Sequence, residues 1–148
     1  MSTSVKELVR RYREELWNEG NLKVADEIIA SDCRYHIYDP LTTVLGTGPE
    51  RAMKAVLQFR SAFPDLHITI EDLFAEGDRA MVRWTFQGTH AGELFGVAPS
   101  RMKITIAGMD MYRVVDGKIQ EYWVNWDTMG FMQQLGLEPV AASASAGV

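Results

Sequence analysis

The spacing of apolar side chains changes near Leu66, and this change constrains the fold more than any other feature. Before Leu66, apolar residues recur every three to four positions, as they do on one face of an α-helix. After it they alternate with polar residues, as they do on one face of a half-buried strand. The sequence therefore predicts helices followed by a run of antiparallel strands, which is an α+β arrangement.

Capping and turn residues set the bounds of the predicted elements. Ser4 and Glu7 have the spacing of a capping box, in which each side chain satisfies a free backbone N–H at a helix start. The segments predicted before Leu66 are a helix from Ser4 to Gly20, a shorter helix from Asn21 to Ile29, a strand Cys33–Tyr38 and a helix from Pro49 to Phe63. The segments predicted after it are strands at 66–71, 80–86, Met102–Val114 and Lys118–Asp127, with turns at Glu76–Asp78 and Asp116–Gly117, and a last helix ending near Gly136.

Charge and cysteine content limit the kinds of binding partner and the cellular compartment that we expect for this protein. The net charge is −5, which disfavours a nucleic-acid partner. The densest basic group, Arg10, Arg11 and Arg13, is followed at once by two glutamates and predicts a solvated helix face. Cys33 is the single cysteine and is expected to be a buried small hydrophobe, in keeping with a reducing compartment. The opening residues are polar and no apolar run approaches ~20 residues, so we expect a cytoplasmic protein with no membrane partner.

The last residues differ in composition from the rest of the chain. The stretch from Ala141 to Val148 consists of alanine, serine, glycine and one valine, with too little apolar bulk to pack. We therefore expect one domain over residues 1–138 and a disordered tail over residues 139–148.

Alternation along the predicted strands places acids among aromatic rings. The residues assigned to this shared face are Trp84, Phe86, Asp110, Tyr112, Glu121, Trp123, Asn125 and Asp127. A carboxylate is costly to bury among aromatic rings, so Asp110 and Asp127 are candidates for chemistry. From the residues alone, Asp127 is better suited to capping the helix that follows it, and Asp110 is equally suited to being a satisfied polar residue. The residues alone leave both alternatives open.

The three histidines give weaker signals. His36 shares a strand side with Tyr38, which faces either the interior or solvent, and His90 at a strand end reaches either a pocket mouth or water. His67 alternates with apolar residues and is expected on the solvent face. No two histidines have metal-ligand spacing, so no metal is predicted. The Gly46–Gly48 pair lacks the third glycine of a nucleotide-binding loop and is expected to be a turn.

Short motifs along most of the chain form a pattern that is specific when taken together. They are Leu16–Asn21, Gly48–Glu50, Ala62–Leu66, Gly88–Pro99, Asp116–Ile119, Trp123–Asp127 and Gln134–Gly136. With these motifs the chain resembles the SnoaL-like polyketide cyclases of the NTF2-like superfamily, from about Leu8 to Gly136.

The resemblance implies a cone-shaped α+β barrel, in which a curved antiparallel sheet carries the N-terminal helices on its concave face. It also implies no cofactor, and a homodimer or larger homo-oligomer formed through the outer sheet face. In cyclases of this group an aspartate at the end of the last strand is acid and base for an intramolecular aldol condensation, and Asp127 matches that position. Trp17 matches an aromatic that shapes the substrate site, and Asp110 falls where some members carry a histidine.

Two positions depart from the family pattern. The expected Pro-Thr-Gly-Arg turn reads Pro99–Met102 here and lacks its glycine. Ala55 is small and apolar where some anthracycline cyclases are polar.

The resulting hypothesis is a polyketide cyclase that uses a small polyketide-like substrate. Asp127 would move the proton, while Asp110, His36 and Asn125 orient it or bind substrate oxygens. The residues expected to hold a flat apolar substrate are Trp17, Tyr38, Phe59, Phe63, Trp84, Phe86, His90, Tyr112 and Trp123.

Two alternatives come from other functional classes. Another NTF2-like enzyme, such as an isomerase, a dehydratase or an epoxide hydrolase, would also use acids of the pocket, and for hydrolysis Asp110 and Asp127 would form a pair that activates water. A non-catalytic small-molecule-binding module would leave Asp127 exposed and fill the cone with aromatic side chains.

Overall fold

Helices cover one face of a five-stranded sheet, in the α+β cone that the sequence predicts. The computed structural model describes residues 4–42, 44 and 46–137, so the predicted tail at 139–148 lies outside the described residues. The elements are α1 (Val5–Arg10), a π-helical segment (Arg11–Asn18), α2 (Lys23–Ile28), β1 (Ile29–His36), α3 (Gly48–Ala62), β2 (His67–Glu76), β3 (Arg79–Thr89), β4 (Lys103–Val115), β5 (Lys118–Trp126) and α4 (Thr128–Leu135).

The sheet is mixed rather than purely antiparallel. Its order is β1-β5-β4-β3-β2, and the four later strands form an antiparallel meander. β1 pairs with β5 in parallel, which corrects the predicted antiparallel sheet. Parallel neighbours need a long connection, and here it comprises α3 and the three intervening strands. The predicted turn before β5 is confirmed, because Asp116 and Gly117 both have the positive φ of a tight hairpin.

The first helix begins as predicted and then widens. The Ser4 side chain accepts a hydrogen bond from the backbone N–H of Glu7 at 3.1 Å. α1 then continues into the π-helical segment, whose buried side chains include Arg13 and Trp17. The prediction that Arg13 lies on a solvated face is wrong: its residue exposure is 3%. Arg13 stands four positions after Val9 and four before Trp17, on the helix side that faces the sheet.

A bulge in β5 decides which of its side chains face the helices. Arg113 of β4 pairs with Glu121, but the next residue, Val114, pairs with Ile119, so Gln120 is extra. An inserted residue reverses the alternation of faces. Ile119 is buried under the helices before the bulge, and Tyr122 takes that side after it. The prediction that Trp123, Asn125 and Asp127 share the inner face with Asp110 is therefore wrong.

The core lies between the sheet and the helices. The inner face of β3 is as predicted, with its buried side chains Ala80, Val82, Trp84 and Phe86 alternating along the strand. Cys33 is also fully buried, as expected of a small hydrophobe. Among the described residues, no helix has the length and apolar character that crossing a bilayer requires.

Candidate active site

An apolar cavity of about 120 Å³ lies between the helices and the sheet. The described residues that line it are Tyr12, Arg13, Trp17, Tyr35, Ile37, Thr42, Val44, Arg51, Ala52, Ala55, Gln58, Phe59, Ile68, Trp84, Phe86, Phe95, Ile106, Tyr122, Val124, Trp126 and Phe131. Most are aromatic or aliphatic, and the charged members of this described lining are two arginines, with no acid among them. Such a surface suits a flat, largely apolar ligand whose polar atoms accept hydrogen bonds.

Arg13 is the charged centre of the cavity wall. Its Nη2 donates to Asp110 Oδ2 and, at 3.0 Å, to the Tyr122 hydroxyl. The Tyr112 hydroxyl donates to the same Asp110 oxygen at 2.6 Å. We call these four residues, together with Trp84, the Arg13 cluster; the Arg13 Cζ lies 4.9 Å from the Trp84 ring centroid.

The electrostatics of this cluster keep Arg13 charged and the tyrosines neutral. Burial by itself lowers the pKa of Arg13, but the Asp110 carboxylate and the surrounding tyrosine hydroxyls together outweigh it and raise that pKa well above the ordinary value. Burial raises the pKa of Tyr112 and of Tyr122 well above the ordinary value. Both hydroxyls therefore retain their protons, and Asp110 and Arg13 form a buried ion pair.

Part of this cluster has no partner. Arg13 Nε, Trp84 Nε1 and Asp110 Oδ1 are buried and make no hydrogen bond within the described residues. Buried polar groups are usually satisfied, so unpaired ones at a cavity wall indicate a place for a ligand atom or an ordered water.

Gly108 gives the Trp84 indole its place. The two residues pair across β3 and β4, and a Cβ built at Gly108 would lie 2.3 Å from the Trp84 ring. The ring therefore occupies the space that a side chain at position 108 would need, on the inner face of the sheet.

Asp127 caps α4. Its Oδ1 accepts a hydrogen bond from the Gly130 backbone N–H at 2.9 Å, and its side chain is exposed and does not belong to the cavity lining. The capping role that the sequence left open is thus present in the structure. In the sequence, Asp127 directly follows Trp126 and stands four residues before Phe131, and both of these line the cavity.

Some of the predicted substrate-binding residues line the cavity and others are buried behind it. Trp17, Phe59, Trp84 and Phe86 line it, as expected. Phe63 and Tyr112 are fully buried outside the lining, Phe63 packing on Phe59 and Phe86, and Tyr112 bound to Asp110. Asp110 itself stands behind Arg13, as a partner of the cavity wall rather than a part of its surface.

His36 and Trp123 lie on the outer face of the sheet, which corrects their predicted place at the cavity. Their rings stack at 5.0 Å, and His36 Nε2 lies 2.7 Å from Glu121 Oε2. The hydrogen bond from His36, with a further one from Arg113, lowers the pKa of Glu121 against the opposing effect of burial. The bulge in β5 accounts for the error on that strand. Parallel pairing with β5 sets His36 beside Trp123 on the same side.

Tyr38, Asn125 and His90 are also outside the cavity lining. Tyr38 is 84% exposed in the loop after β1, and Asn125 is exposed on the outer face of β5. His90 is fully buried, but in the core beside Phe63, where its Nδ1 accepts a hydrogen bond from the Ser100 backbone N–H at 3.2 Å.

Several lining residues are not predicted from the sequence. These are Tyr12, Arg13, Tyr35, Arg51, Phe95, Tyr122, Val124, Trp126 and Phe131. Arg13 stands four positions before Trp17, so helical spacing from Trp17 would have identified it. The lining residues of β5 could be identified only once the bulge in that strand was known. Within residues 4–42, 44 and 46–137, no group of histidine, cysteine and acidic side chains is arranged to hold a metal ion.

Several solved structures are similar to this protein over most of its length. TsrD from Streptomyces laurentii is 28% identical, with 90% of this chain and 96% of TsrD covered and a TM-score of 0.79. IdmH from Streptomyces antibioticus, a candidate polyketide cyclase, is 28% identical, with 91% and 100% covered and a TM-score of 0.78. AclR from Streptomyces galilaeus, a candidate hydroxylase, is 26% identical, with 91% and 97% covered and a TM-score of 0.75.

A comparison with curated proteins gave no match. The family model for SnoaL-like polyketide cyclases matches residues 6–135, which is nearly all of the described chain. The chain belongs to the SnoaL-like polyketide cyclase family.

Proposed function

We propose that this protein is a polyketide cyclase that closes a ring by an intramolecular aldol reaction without a cofactor. The observation that carries the proposal is the cavity: its wall is aromatic and aliphatic, and its charged groups are hydrogen-bond donors. A poly-β-ketone chain offers flat, apolar stretches with carbonyl oxygens that accept hydrogen bonds. Membership of the family and the similarity to IdmH support the same substrate class.

The reaction suits a protein that supplies only acid, base and shape. A carbon between two carbonyls is acidic, because its carbanion spreads onto both oxygens. A carboxylate removes that proton, the enolate carbon attacks a second carbonyl carbon, and a carbon–carbon bond forms. The new alkoxide takes the proton back from the carboxylic acid, so the product is an isomer of the substrate.

We assign the proton transfer to Asp127. Two observations support this assignment. Asp127 directly follows β5 and lies between the cavity-lining residues Trp126 and Phe131 in the sequence, and it matches the catalytic aspartate of related cyclases. A substrate longer than the cavity would extend past Trp126 and cover the carboxylate. Removal of water from a carboxylate strengthens it as a base.

The aromatic wall would fold the substrate for ring closure. Trp17 and Phe59 on the helices stand 5.9 Å apart, ring centroid to ring centroid, and Phe59 is 6.2 Å from Phe86 on the sheet. Holding two carbons of one chain in reacting position replaces an improbable encounter with a local one, which is a large part of the rate for such reactions.

Asp127→Asn tests the assignment, because asparagine caps a helix about as well as aspartate but is not a base. We expect turnover of a linear poly-β-ketone to fall at least ~100-fold. The melting temperature should stay within about 2 °C of wild type. The isomeric product is separated from substrate by chromatography and recognised by its absorbance.

Asp127→Ala is the matched control, since it removes both the cap and the base. If Asp127→Asn turns over like wild type while Asp127→Ala is destabilised, Asp127 is a cap only and the assignment fails.

The two alternatives fare differently against the geometry. The hydrolytic reading needs two carboxylates on one water, but Asp110 is engaged by Arg13 and Tyr112, and Asp127 caps α4. A non-catalytic binding module predicts that Asp127 is exposed, and Asp127 is exposed. It also predicts that aromatic side chains fill the cone, whereas the structure has a cavity beneath the helices. The Asp127→Asn assay separates this last reading from catalysis.

We also propose that the protein forms a homo-oligomer through the outer face of the sheet. Phe74 and Met109 expose 63% and 50% of their surface there, which is unusual for large apolar side chains. Light scattering after size-exclusion chromatography should give at least a dimer mass, and Met109→Lys should shift it toward the monomer. A monomer at high micromolar concentration contradicts the proposal.

A further inference from the structure

The Arg13 cluster presents two unused donors at the cavity wall. Arg13 Nε and Trp84 Nε1 are buried without an acceptor among the described residues, and both side chains line the cavity. Arg13 is 3% exposed and Trp84 6% exposed, so bulk water does not satisfy them. The two side chains are in contact, because the Arg13 Cζ lies 4.9 Å from the Trp84 ring centroid. An acceptor atom bound here would relieve both at once.

The charge balance of the cluster selects the kind of acceptor. Arg13 is already neutralised by Asp110, and Tyr112 and Tyr122 retain their protons. A carboxylate or phosphate bound to Arg13 would bring a second negative charge to an arginine that Asp110 already balances, so that charge would stay unbalanced within the Arg13 cluster, and a buried unbalanced charge is costly. A carbonyl oxygen accepts both hydrogen bonds without bringing a charge.

The orientation of both donors is fixed by their surroundings. The Arg13 Nη2 is held by Asp110 and Tyr122, which points the remaining Nε edge of the guanidinium elsewhere. The Trp84 ring lies against Gly108, where no other residue type leaves room for it. Donors held in place before the ligand arrives need little reorganisation when it binds.

We propose that Arg13 and Trp84 form a ketone-binding site, which takes one carbonyl oxygen of the substrate and places that end of it against the Arg13 cluster. The choice of a polyketide as the natural ligand rests on the proposed function. Binding of that carbonyl fixes one end of the substrate, so the rest of the chain is held in one arrangement for ring closure. Asp110 is a positioning residue here, since it acts through Arg13.

The test compares two ligands of nearly equal shape, 1-tetralone, which carries a ketone, and tetralin, which carries a methylene group there. We expect wild type to bind the ketone about tenfold more tightly than the hydrocarbon. A tenfold ratio of dissociation constants corresponds to the net free energy of one hydrogen bond or slightly more. Titration calorimetry or quenching of tryptophan fluorescence gives both affinities. The indole N–H resonance of Trp84 in ¹⁵N-labelled protein should move on adding the ketone and stay in place with the hydrocarbon.

Trp84→Phe keeps an aromatic ring but removes the donor. It should weaken 1-tetralone binding about fivefold. It should leave tetralin binding within about twofold, since no hydrogen bond to tetralin is lost. Trp123→Phe, on the outer face, is the matched control and should change neither affinity. If Trp84→Phe does not fold, the ligand pair and the Trp84 resonance of wild type still decide the question.

Equal affinities for both ligands with an unmoved Trp84 resonance would mean that the two donors hold an ordered water only. Equal weakening of both ligands by Trp84→Phe would assign the indole a packing role, and absence of binding by either ligand would also overturn the proposal. Asp127→Asn should bind 1-tetralone like wild type. Full turnover in that variant with a retained ketone preference would refute the acid/base assignment alone.

Discussion

The buried ion pair between Arg13 and Asp110 should show strong energetic coupling. Both side chains are almost fully buried, at 3% and 0% exposure, so solvent screens their interaction little. Asp110→Asn preserves the shape of the side chain but leaves the Arg13 charge without a counter-ion. Removing one member of such a pair costs about 3–5 kcal/mol, and we expect that loss of unfolding free energy.

Arg13→Met leaves the Asp110 carboxylate buried with a hydrogen bond from Tyr112 alone, and it should cost a similar amount. The double variant Arg13→Met/Asp110→Asn has no buried charge. The Tyr112 hydroxyl can still donate to the asparagine oxygen, whereas the Tyr122 hydroxyl loses its donor. We expect the double variant to cost no more than either single one.

Urea unfolding, followed by tryptophan fluorescence and by circular dichroism, measures these free energies. Loss of about 3–5 kcal/mol is a large part of the total stability of a typical domain, so the transitions should be well separated. Additive losses, with the double variant as unstable as the two single losses combined, would refute the coupling. The ion pair would then be an incidental contact between independently satisfied groups.

Three other perturbations have defined expectations. Arg101 has φ of 63° at the position where related cyclases have glycine, so Arg101→Gly should stabilise the protein by about 0.5–1 kcal/mol, seen as a higher melting temperature; an unchanged or lower one would contradict the strain. Burial raises the pKa of Cys33 to about 12, so the folded protein should not react with a thiol reagent at pH 8 until urea is added, and fast labelling without urea would contradict this. The lowered pKa of Glu121 contributes stability above the ordinary glutamate range and loses it as pH falls through the folded-state pKa. The melting-temperature gap between wild type and Glu121→Gln should therefore be wide near pH 7 and should close as the pH falls below the ordinary glutamate range, and a gap independent of pH would contradict the ionic origin.

Most of the fold could be predicted because the local signals and the tertiary structure agree. The third helix is predicted from Pro49 to Phe63 and is found at Gly48–Ala62, where a proline in the first turn, a helical period and a stop signal all coincide. The pairing of β1 was not predictable in this way. Its parallel partner, β5, is about ninety residues away, and no local pattern encodes which edge a short strand joins.

The site was predicted less well, for a specific physical reason. Alternation shows which side chains share a face but not where an extra residue reverses it, and both faces of β5 carry aromatics. Gln120 therefore moved Trp123 and Asn125 to the outside and brought Tyr122 and Trp126 inside. Arg13 was missed because a basic side chain is usually solvated, and its buried counter-ion is 97 residues away.

The close approach of Trp84 to Gly108 has an evolutionary consequence. A glycine inside a strand lowers the stability of the fold by about 0.5–1 kcal/mol relative to alanine. We therefore expect glycine to be retained at position 108 only while a large ring at position 84 needs the space. Relatives with a small side chain at position 84 are free to enlarge position 108, and the two positions should covary across the family. Exchanging bulk between these two neighbouring strands would also be a route to a differently shaped cavity, and so to a different ring, on an unchanged backbone.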